Sequence, residues 1–536
     1  MNWYTFLHRI LLPATAILSV VGPLSLLARA ADLPVATTRP NVLFIIIDDH
    51  GPNLHNVFQH SPVRTPNMQR LANRGTWFAH AYVDAPACCP SRTAFLTGVH
   101  AAKSGVYYNN QAYRRATSWI SKVETLPGHF RKHGYLSAGY GKIAHNRFLE
   151  DDIRDYTPGY YKMMNRPADV THPDAALRRQ IMPGSQTKLW SDGWSWGVLP
   201  DDWDRDDPKK MQQDTEQANR TIALLRDKHR QPFFLACGFW KPHVPWTVPQ
   251  RYLDLYPLAA IAIPPGYKAD DLEDLPAPAR WLATHRGEHD FVVKHGLWRQ
   301  CLQAFYASIS YVDEQIGRLL DALEAGPNRD NTIIVFAADN GWHTGEKNHW
   351  SKFYLSELAC QVVFAISVPG MKPQICPTPV GLIDIYPTLL SLCGLAPPAT
   401  HTLDGVDLSA ILRGTTSDRG KPVLSTYGRG CHSVRDARFR YTRYRNGDEE
   451  LYDHDADRWE WNNLAGDSRF AAVKQRLAAY LPTDDAPDVE SVAGRDGDDT
   501  NKWEDEAFAK EPAGAQASTG ADTAPRTRAA PRSTGR

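Results

Sequence analysis

The chain reads as an α/β fold, a doubly wound sandwich with a large, mostly parallel central sheet flanked by helices. Five short apolar, β-branched or aromatic runs support this: Asn41–Ile47, Tyr135–Tyr140, Pro232–Phe239, Thr332–Ala337 and Val362–Val368. Each is nearly continuously apolar, as strands buried on both faces are. Helical patterns separate them, and such alternation favours a doubly wound sheet. Ligands bind these sheets beyond the carboxyl ends of the strands. Here the first run ends in Asp48-Asp49 and the second leads to Lys142 and His145. The third leads to Lys241 and His243, and the fourth to Asp339-Asn340. Four separate segments therefore bring titratable groups to one edge.

In chain order, the first thirty residues read as a secretory signal. His8 and Arg9 form its positive flank, Ile10 to Leu27 is apolar but broken by Pro13, Gly22 and Pro23, and Ala28-Arg29-Ala30 is a small-x-small cleavage site. The expected product is a secreted or periplasmic protein, or in a eukaryote one of a lysosome-like compartment, with no membrane attachment after cleavage. The alternative, an uncleaved anchor, has borderline length for spanning. Thr65-Pro66 and Gly75 bracket a helix, with proline just inside the start and glycine just past the end. Leu302, Phe305, Ile309, Val312, Ile316, Leu319 and Leu323 keep a three–four spacing that predicts a long amphipathic helix before Gly326. Ser433-Val434-Arg435, Phe439 to Tyr444 and Glu450 to Asp453 read as short strands, with a hairpin turn at Asn446-Gly447-Asp448. Beyond about residue 483, Asp, Gly, Ala, Thr and Pro dominate and apolar periodicity is lost, predicting a disordered tail. The expected organisation is a signal over 1–30, an α/β domain over 31–415, an antiparallel subdomain over 416–482 and the tail over 483–536.

Of 536 residues, 60 are Lys or Arg and 60 are Asp or Glu. A chain without basic excess is a poor candidate for nucleic-acid binding. The eight cysteines show neither disulfide-framework spacing nor a CxxC pair, so one or two bridges are allowed but none can be assigned. Asp48-Asp49 and Asp339-Asn340 together form an oxygen-only donor set. One such pair alone could be a helix N-cap with a first-turn acid. Two pairs converging on one sheet edge suit a hard divalent cation, calcium before magnesium, and disfavour zinc.

Cys88-Cys89-Pro90-Ser91-Arg92, continued by Thr93-Ala94-Phe95-Leu96-Thr97-Gly98, carries the most specific signal. Its bland reading is a pair of buried cysteines before a helix. The stretch resembles the signature of the type I, formylglycine-dependent sulfatases, C-x-P-S-R followed by an apolar residue and Thr-Gly. Asn41 to Asp49 and Ala338-Asp339-Asn340-Gly341 resemble the family's two metal motifs. Gly141-Lys142-Ile143-Ala144-His145 and Trp240-Lys241-Pro242-His243-Val244-Pro245 resemble its two basic motifs. The likeness runs from about residue 40 to about 465. Its wording is most similar to the iduronate-2-sulfatases and their bacterial relatives, with supporting stretches at Asp214 to Ala218 and from Gly341-Trp342 to Trp350-Ser351-Lys352. One departure is Asn340, where iduronate-2-sulfatases carry histidine.

The resemblance implies an alkaline-phosphatase-like sandwich with a small C-terminal antiparallel subdomain. It implies that a maturation enzyme oxidises Cys88 to formylglycine, and that one Ca²⁺ per subunit is held by Asp48, Asp49, Asp339, Asn340 and the converted Cys88. Arg92 and Lys142 would hold the formylglycine hydroxyls. Lys352 and His243 would contact sulfate and the bridging oxygen, and His145 would be the base that releases sulfate. Lys241 would lie just behind them, or else be a solvated loop lysine. His343 and His349 would line the substrate pocket or lie on the surface. The implied substrate is a sulfated glycan, in its narrower form the 2-O-sulfate of a terminal uronate. The alternatives are a phosphonate or phosphate-ester hydrolase of the same superfamily and, with Cys88 unmodified, a non-catalytic sulfated-sugar-binding protein.

Overall fold

At the centre of the computed structural model, which describes residues 39–57, 61–145, 154–162, 196–199 and 211–491, lies the strand Asn41–Ile47. All seven of its residues are buried, and its valine and three isoleucines are stiff at χ1 and suited to a pleated, packed surface. Phe233–Gly238 pairs with it in parallel on one side and Thr332–Ala338 on the other. Leu136–Gly141 and Tyr161–Lys162 extend the parallel part beyond Phe233–Gly238. On the far side come Phe364–Ser367, Thr76–Phe78 and Gln374–Cys376, which completes an eight-stranded sheet.

The run expected over Val362–Val368 divides in two. Gln361–Val362 pairs with Ala81–Tyr82 in a separate small sheet, and Phe364–Ser367 runs antiparallel to Thr332–Ala338. A parallel partner requires a crossover to the opposite edge. The segment between Ala338 and Phe364 stays at the edge where the preceding strand ends, so the next strand runs back. Hydrophobic pattern carries no information about direction.

The 28-residue helix Trp298–Ala325 contains the predicted stripe, and Leu302, Phe305, Ile309, Val312, Ile316, Leu319 and Leu323 are all fully buried. It packs against the helix Gln213–Arg226 and against the short helix Pro66–Ala72. Pro66 occupies the first position of that short helix, as expected, but Thr65 makes no side-chain cap. The cap comes instead from Asp313 of the long helix, whose carboxylate accepts from the backbone N–H of Asn67 at 3.0 Å and of Met68 at 2.8 Å.

The C-terminal subdomain is an antiparallel sheet of Val423–Thr426, His432–Arg435, Phe439–Arg443 and Glu449–Asp453. Gly447, at φ +92°, turns the last hairpin. The tail differs from expectation at its start. Ala486 N–H donates to Ala102 O and Val489 N–H to Gly105 O, each at 2.8 Å, and Ser491 bridges to Gln111. Residues 483–491 thus form a strap paired through its backbone, which side-chain periodicity does not reveal. The remainder of the tail and the signal over 1–30 lie outside the described residues. All eight cysteines are buried free thiols, so neither of the bridges that the composition allowed is present. Among the described residues, no helix is long and apolar enough to cross a membrane.

Candidate active site

The parallel register pairs Ile47 with Ala338, so the residues following each strand emerge side by side. Asp49 turns there with φ +60°, an angle uncommon for a residue with a side chain. Its N–H donates to Asp339 Oδ1 at 3.2 Å, and His50 N–H donates to Asn340 O at 2.9 Å. The two acidic pairs are thereby locked together at the sheet edge.

Cys88 is the first residue of the helix Cys88–Thr97, whose N-terminal end carries positive dipole character. Its Sγ donates to Asp48 Oδ1 at 3.2 Å and accepts from Lys352 Nζ at 2.6 Å. Lys352 Nζ also donates to Asp49 Oδ1 at 2.5 Å. One turn along the helix, Arg92 donates from Nε to Asp339 Oδ2 at 2.7 Å and from Nη1 to Ile143 O at 3.1 Å, while its buried Nη2 has no hydrogen-bond partner. Lys142 pairs with Asp48 and sits 4.4 Å from the centre of the Trp240 ring. His243 Nδ1 bonds Val244 O at 2.6 Å, and Nε2 faces Asp49 Oδ2 at 3.7 Å. The structure thus gathers Asp48, Asp49, Cys88, Arg92, Lys142, His243, Asp339, Asn340 and Lys352. His145 lies three residues beyond Lys142 on the same loop and is half-buried.

Burial sets the charges in competition. It would raise the Asp48 carboxyl, but Lys142, Arg92 and Lys352 outweigh it and bring the group down to about 2. For Asp49 burial wins, opposed by Lys352 and reinforced by Asp48 and Asp339, and the group is pushed up to about 7. Burial, with Asp339 and Asp48, also lifts the Cys88 thiol well above its ordinary value. The thiol therefore stays protonated at neutral pH and is a weak nucleophile. Burial, with Lys142 and Lys352, holds the His243 ring well below its ordinary range, so it rests neutral. The hydrogen bond from Nδ1 leaves Nε2 as the bare acceptor.

A cation fits this arrangement. Ligand atoms of Asp48, Asp49, Cys88 and Asp339 lie within 4.8 Å of one another. Asp49 Oδ2 and Asn340 Oδ1 are buried with no hydrogen-bond donor, and such acceptors need a counterpart.

Two loops hold the basic side chains in place. His343 and His349 are each 1 % exposed, so they do not face solvent. His343 bonds Ser356 Oγ at 2.5 Å, and His349 bonds Ala283 O at 3.0 Å and Lys352 O at 2.7 Å. They brace the backbone that carries Lys352. Lys241 is buried against Pro245 O and is not a solvated lysine. The loop containing it is fixed by Asp214, which accepts from the N–H groups of Trp240 and Lys241 at 2.8 Å each. Asp214 was visible only as part of a motif. The clue to its role was an acid in a helix's first turn, a place where carboxylates accept backbone N–H groups.

A helix start set among three buried carboxylates, Asp48, Asp49 and Asp339, and three basic side chains, Arg92, Lys142 and Lys352, is equipped to bind an anionic ester, as hydrolases of such esters do. The Sulfatase family model matches residues 40–395, and the chain belongs to the sulfatase family, whose members are sulfuric ester hydrolases. It is 34% identical over 461 residues to a sulfatase of Formosa agariphila, covering 84% of this chain and 88% of the relative. It is 28% identical over 436 residues to human iduronate 2-sulfatase, covering 77% and 76%. Among solved structures, a 2-O GAG sulfatase superposes with a TM-score of 0.62 at 22% identity, covering 85% of this chain and 98% of that one. The phosphonate monoester hydrolase of Agrobacterium radiobacter superposes with a TM-score of 0.64 at 21% identity, covering 82% and 94%. These two likenesses show the alkaline-phosphatase-like fold.

Proposed function

We propose that this sulfatase is exported and hydrolyses sulfate esters of a glycan through a formylglycine made from Cys88. The observation that carries the reading is the Cys88 environment. The thiol is buried at a helix start, against Asp48 on one side and Lys352 on the other, where a nucleophile would stand between the acidic pairs and a basic side chain. A hydrated aldehyde there supplies one hydroxyl to attack sulfur and a second whose deprotonation expels sulfate, so water never has to attack sulfur.

Asp48, Asp49, Asp339 and Asn340 would hold Ca²⁺ together with position 88. The ion would neutralise charge on the sulfate and favour the ionised hydroxyl. Arg92, whose Nη2 makes no hydrogen bond and lies 3.8 Å from Asp48 Oδ2, and Lys142 orient the hydroxyls at position 88. Lys352 binds a sulfate oxygen. His243 delivers a proton to the leaving alcohol from Nε2. The ring rests neutral, so it takes up that second proton only when the substrate's negative charge offsets Lys142 and Lys352. His145 removes the proton that lets sulfate leave.

Iduronate 2-sulfatase and a 2-O GAG sulfatase among the relatives support a uronate 2-O-sulfate as the narrower substrate. The fold shared with a phosphonate monoester hydrolase supports a second reading, a phosphonate or phosphate ester. Matched aryl sulfate and aryl phosphonate substrates separate them, and faster phosphonate hydrolysis overturns the first. The formylglycine step is tested by the mass of the tryptic peptide Gly75–Arg92, which falls when CH₂SH is replaced by CHO. An unshifted peptide in active protein overturns it.

A further inference from the structure

We propose that a cavity between the C-terminal sheet and the α/β core is a second glycan-binding site, taking a sugar unit that carries a sulfate or carboxylate. This rests on the glycan reading above. The cavity has a volume of about 310 Å³ and is lined by His80, Glu357, Val362, Val363, Arg435 and Arg458, among others. That volume suits a single sugar unit at the lower end of small-molecule sites.

Several polar groups of its lining have unused hydrogen-bonding capacity. His80 Nδ1 is buried with no hydrogen-bond partner. Arg435, only 4 % exposed, donates from Nε to Glu357 Oε2 at 3.2 Å and from Nη1 to Asp436 O. Its Nη2 makes no hydrogen bond among the described residues. Arg458, exposed at the rim, makes one long bond, from Nη2 to Asn53 Oδ1 at 3.3 Å. Glu357 cannot answer these donors. Its Oε1 already accepts from Tyr82 Oη at 2.7 Å, and its Oε2 from Arg440 Nη2 at 2.6 Å as well as from Arg435.

Glu357, His454 and Glu460 have the spacing of a metal site. However, both carboxylates are engaged by arginines, Arg440 Nε reaching Glu460 Oε1 at 2.5 Å. Arg435, Arg440 and Arg458 against Glu357 and Glu460 leave a positive excess, which selects an anion. Unpaired buried polar atoms are costly, and an oxyanion accepting from Arg435 and from His80, in the tautomer that carries its proton on Nδ1, would satisfy them, with the exposed Arg458 guanidinium beside it. Val362 and Val363 offer an apolar wall to a sugar's C–H face.

None of these residues belongs to the Cys88 cluster, but the cavity shares two segments with it. Asn53 follows Asp49 on one loop, and Glu357 follows Lys352 on another. The strand Thr76–Phe78, which leads to His80, runs parallel to the strands bearing the acidic pairs, so its end meets the same sheet edge.

The test uses full-length protein. On a Cys88→Ala background, which cannot turn over, calorimetric titration with a sulfated, uronate-containing disaccharide should show two sites. Adding His80→Ala and Arg458→Ala should leave one. Inorganic sulfate binding as tightly as the disaccharide overturns the sugar assignment. With Cys88 intact, the double variant should raise KM for a defined sulfated oligosaccharide about tenfold, as the loss of charged hydrogen bonds does, and leave aryl sulfate kinetics unchanged. Arg458→Glu, an exposed change that the fold should tolerate, should do the same alone. One site in both proteins, an unchanged oligosaccharide KM, or equal losses on both substrates overturns the proposal. If no sulfate ester is hydrolysed at all, the proposed function fails while the titration still decides the second site.

Discussion

Cys88 donates to Asp48 beside Lys352, whereas Cys89 points the other way and donates to Gln111 O at 3.1 Å. Cys88→Ala and Cys88→Ser should therefore lose nearly all sulfatase activity and Cys89→Ala should keep most of it, measured on an aryl sulfate; wild-type rates in Cys88→Ala would sink the mechanism. Asp339 accepts from Arg92 and from the Asp49 N–H, so Asp339→Asn should preserve the fold and lower kcat by about 10²-fold or more, as the loss of a key electrostatic partner does. The two histidines should fail differently. Loss of a positioned proton-transfer group costs about 10²–10⁴-fold. His243→Ala should slow the first step most for poor leaving groups, and His145→Ala should leave sulfate attached to the protein. Intact mass after substrate exposure checks the second, and absence of a sulfate adduct would remove His145 from its role.

The loop from Gly341 to Glu357 is held by Asp271 and by the C-terminal subdomain. Lys347 reaches Asp271 at 3.2 Å and Glu460 O at 2.5 Å, and Tyr354 Oη donates to Glu450 at 3.1 Å. Glu357 N–H donates to Glu460 Oε2 at 2.9 Å. Lys347, Asn348 and Phe353 have φ of 53°, 50° and 73°, costly for residues with side chains unless neighbours enforce them. Burial works against ionising Glu357 and Glu460, but His454, Arg435 and Arg440 outweigh it for the first, and Arg440, His454 and Lys347 for the second. Both carboxyls are thus held below their ordinary 4.5. Their contribution to stability is present above that pH and lost as the pH falls through the lowered values. Arg440→Met leaves two buried carboxylates short of a partner and should cost about 3–5 kcal/mol at pH 7. The penalty should shrink below pH 4.5, where protonation relieves the unpaired charge. Urea unfolding at the two pH values measures both, and an equal loss at each would contradict the account.

What was legible at the scale of the whole molecule was local in origin. Strand ends rich in acid and base, the Cys88 motif and the stripe from Leu302 to Leu323 depend on residues close in sequence, and their elements are where the pattern placed them. What was hidden depends on distant partners. Examples are the reversed strand Phe364–Ser367, the burial of His343 and His349, the cap that Asp313 supplies, and the strap over 483–491. The acidic pairs belong to both groups, because Asp48-Asp49 and Asp339-Asn340 are far apart in sequence and meet only through strand register. A cation bound there would join segments separated by 291 residues at the same place where Asn340 Nδ2 donates to Asp49 Oδ1. Binding to the folded chain alone stabilises it by RT ln(1 + [L]/Kd), about 2.7 kcal/mol at a hundredfold excess over Kd. Chelation should therefore lower the melting temperature and abolish activity together, and Ca²⁺ should restore both, activity saturating with site occupancy and the melting temperature rising with the logarithm of excess Ca²⁺. Asp48→Ala should remove the calcium dependence of melting as well as the activity. Elemental analysis showing stoichiometric zinc, or a melting temperature unmoved by chelator in active protein, would refute calcium at this junction.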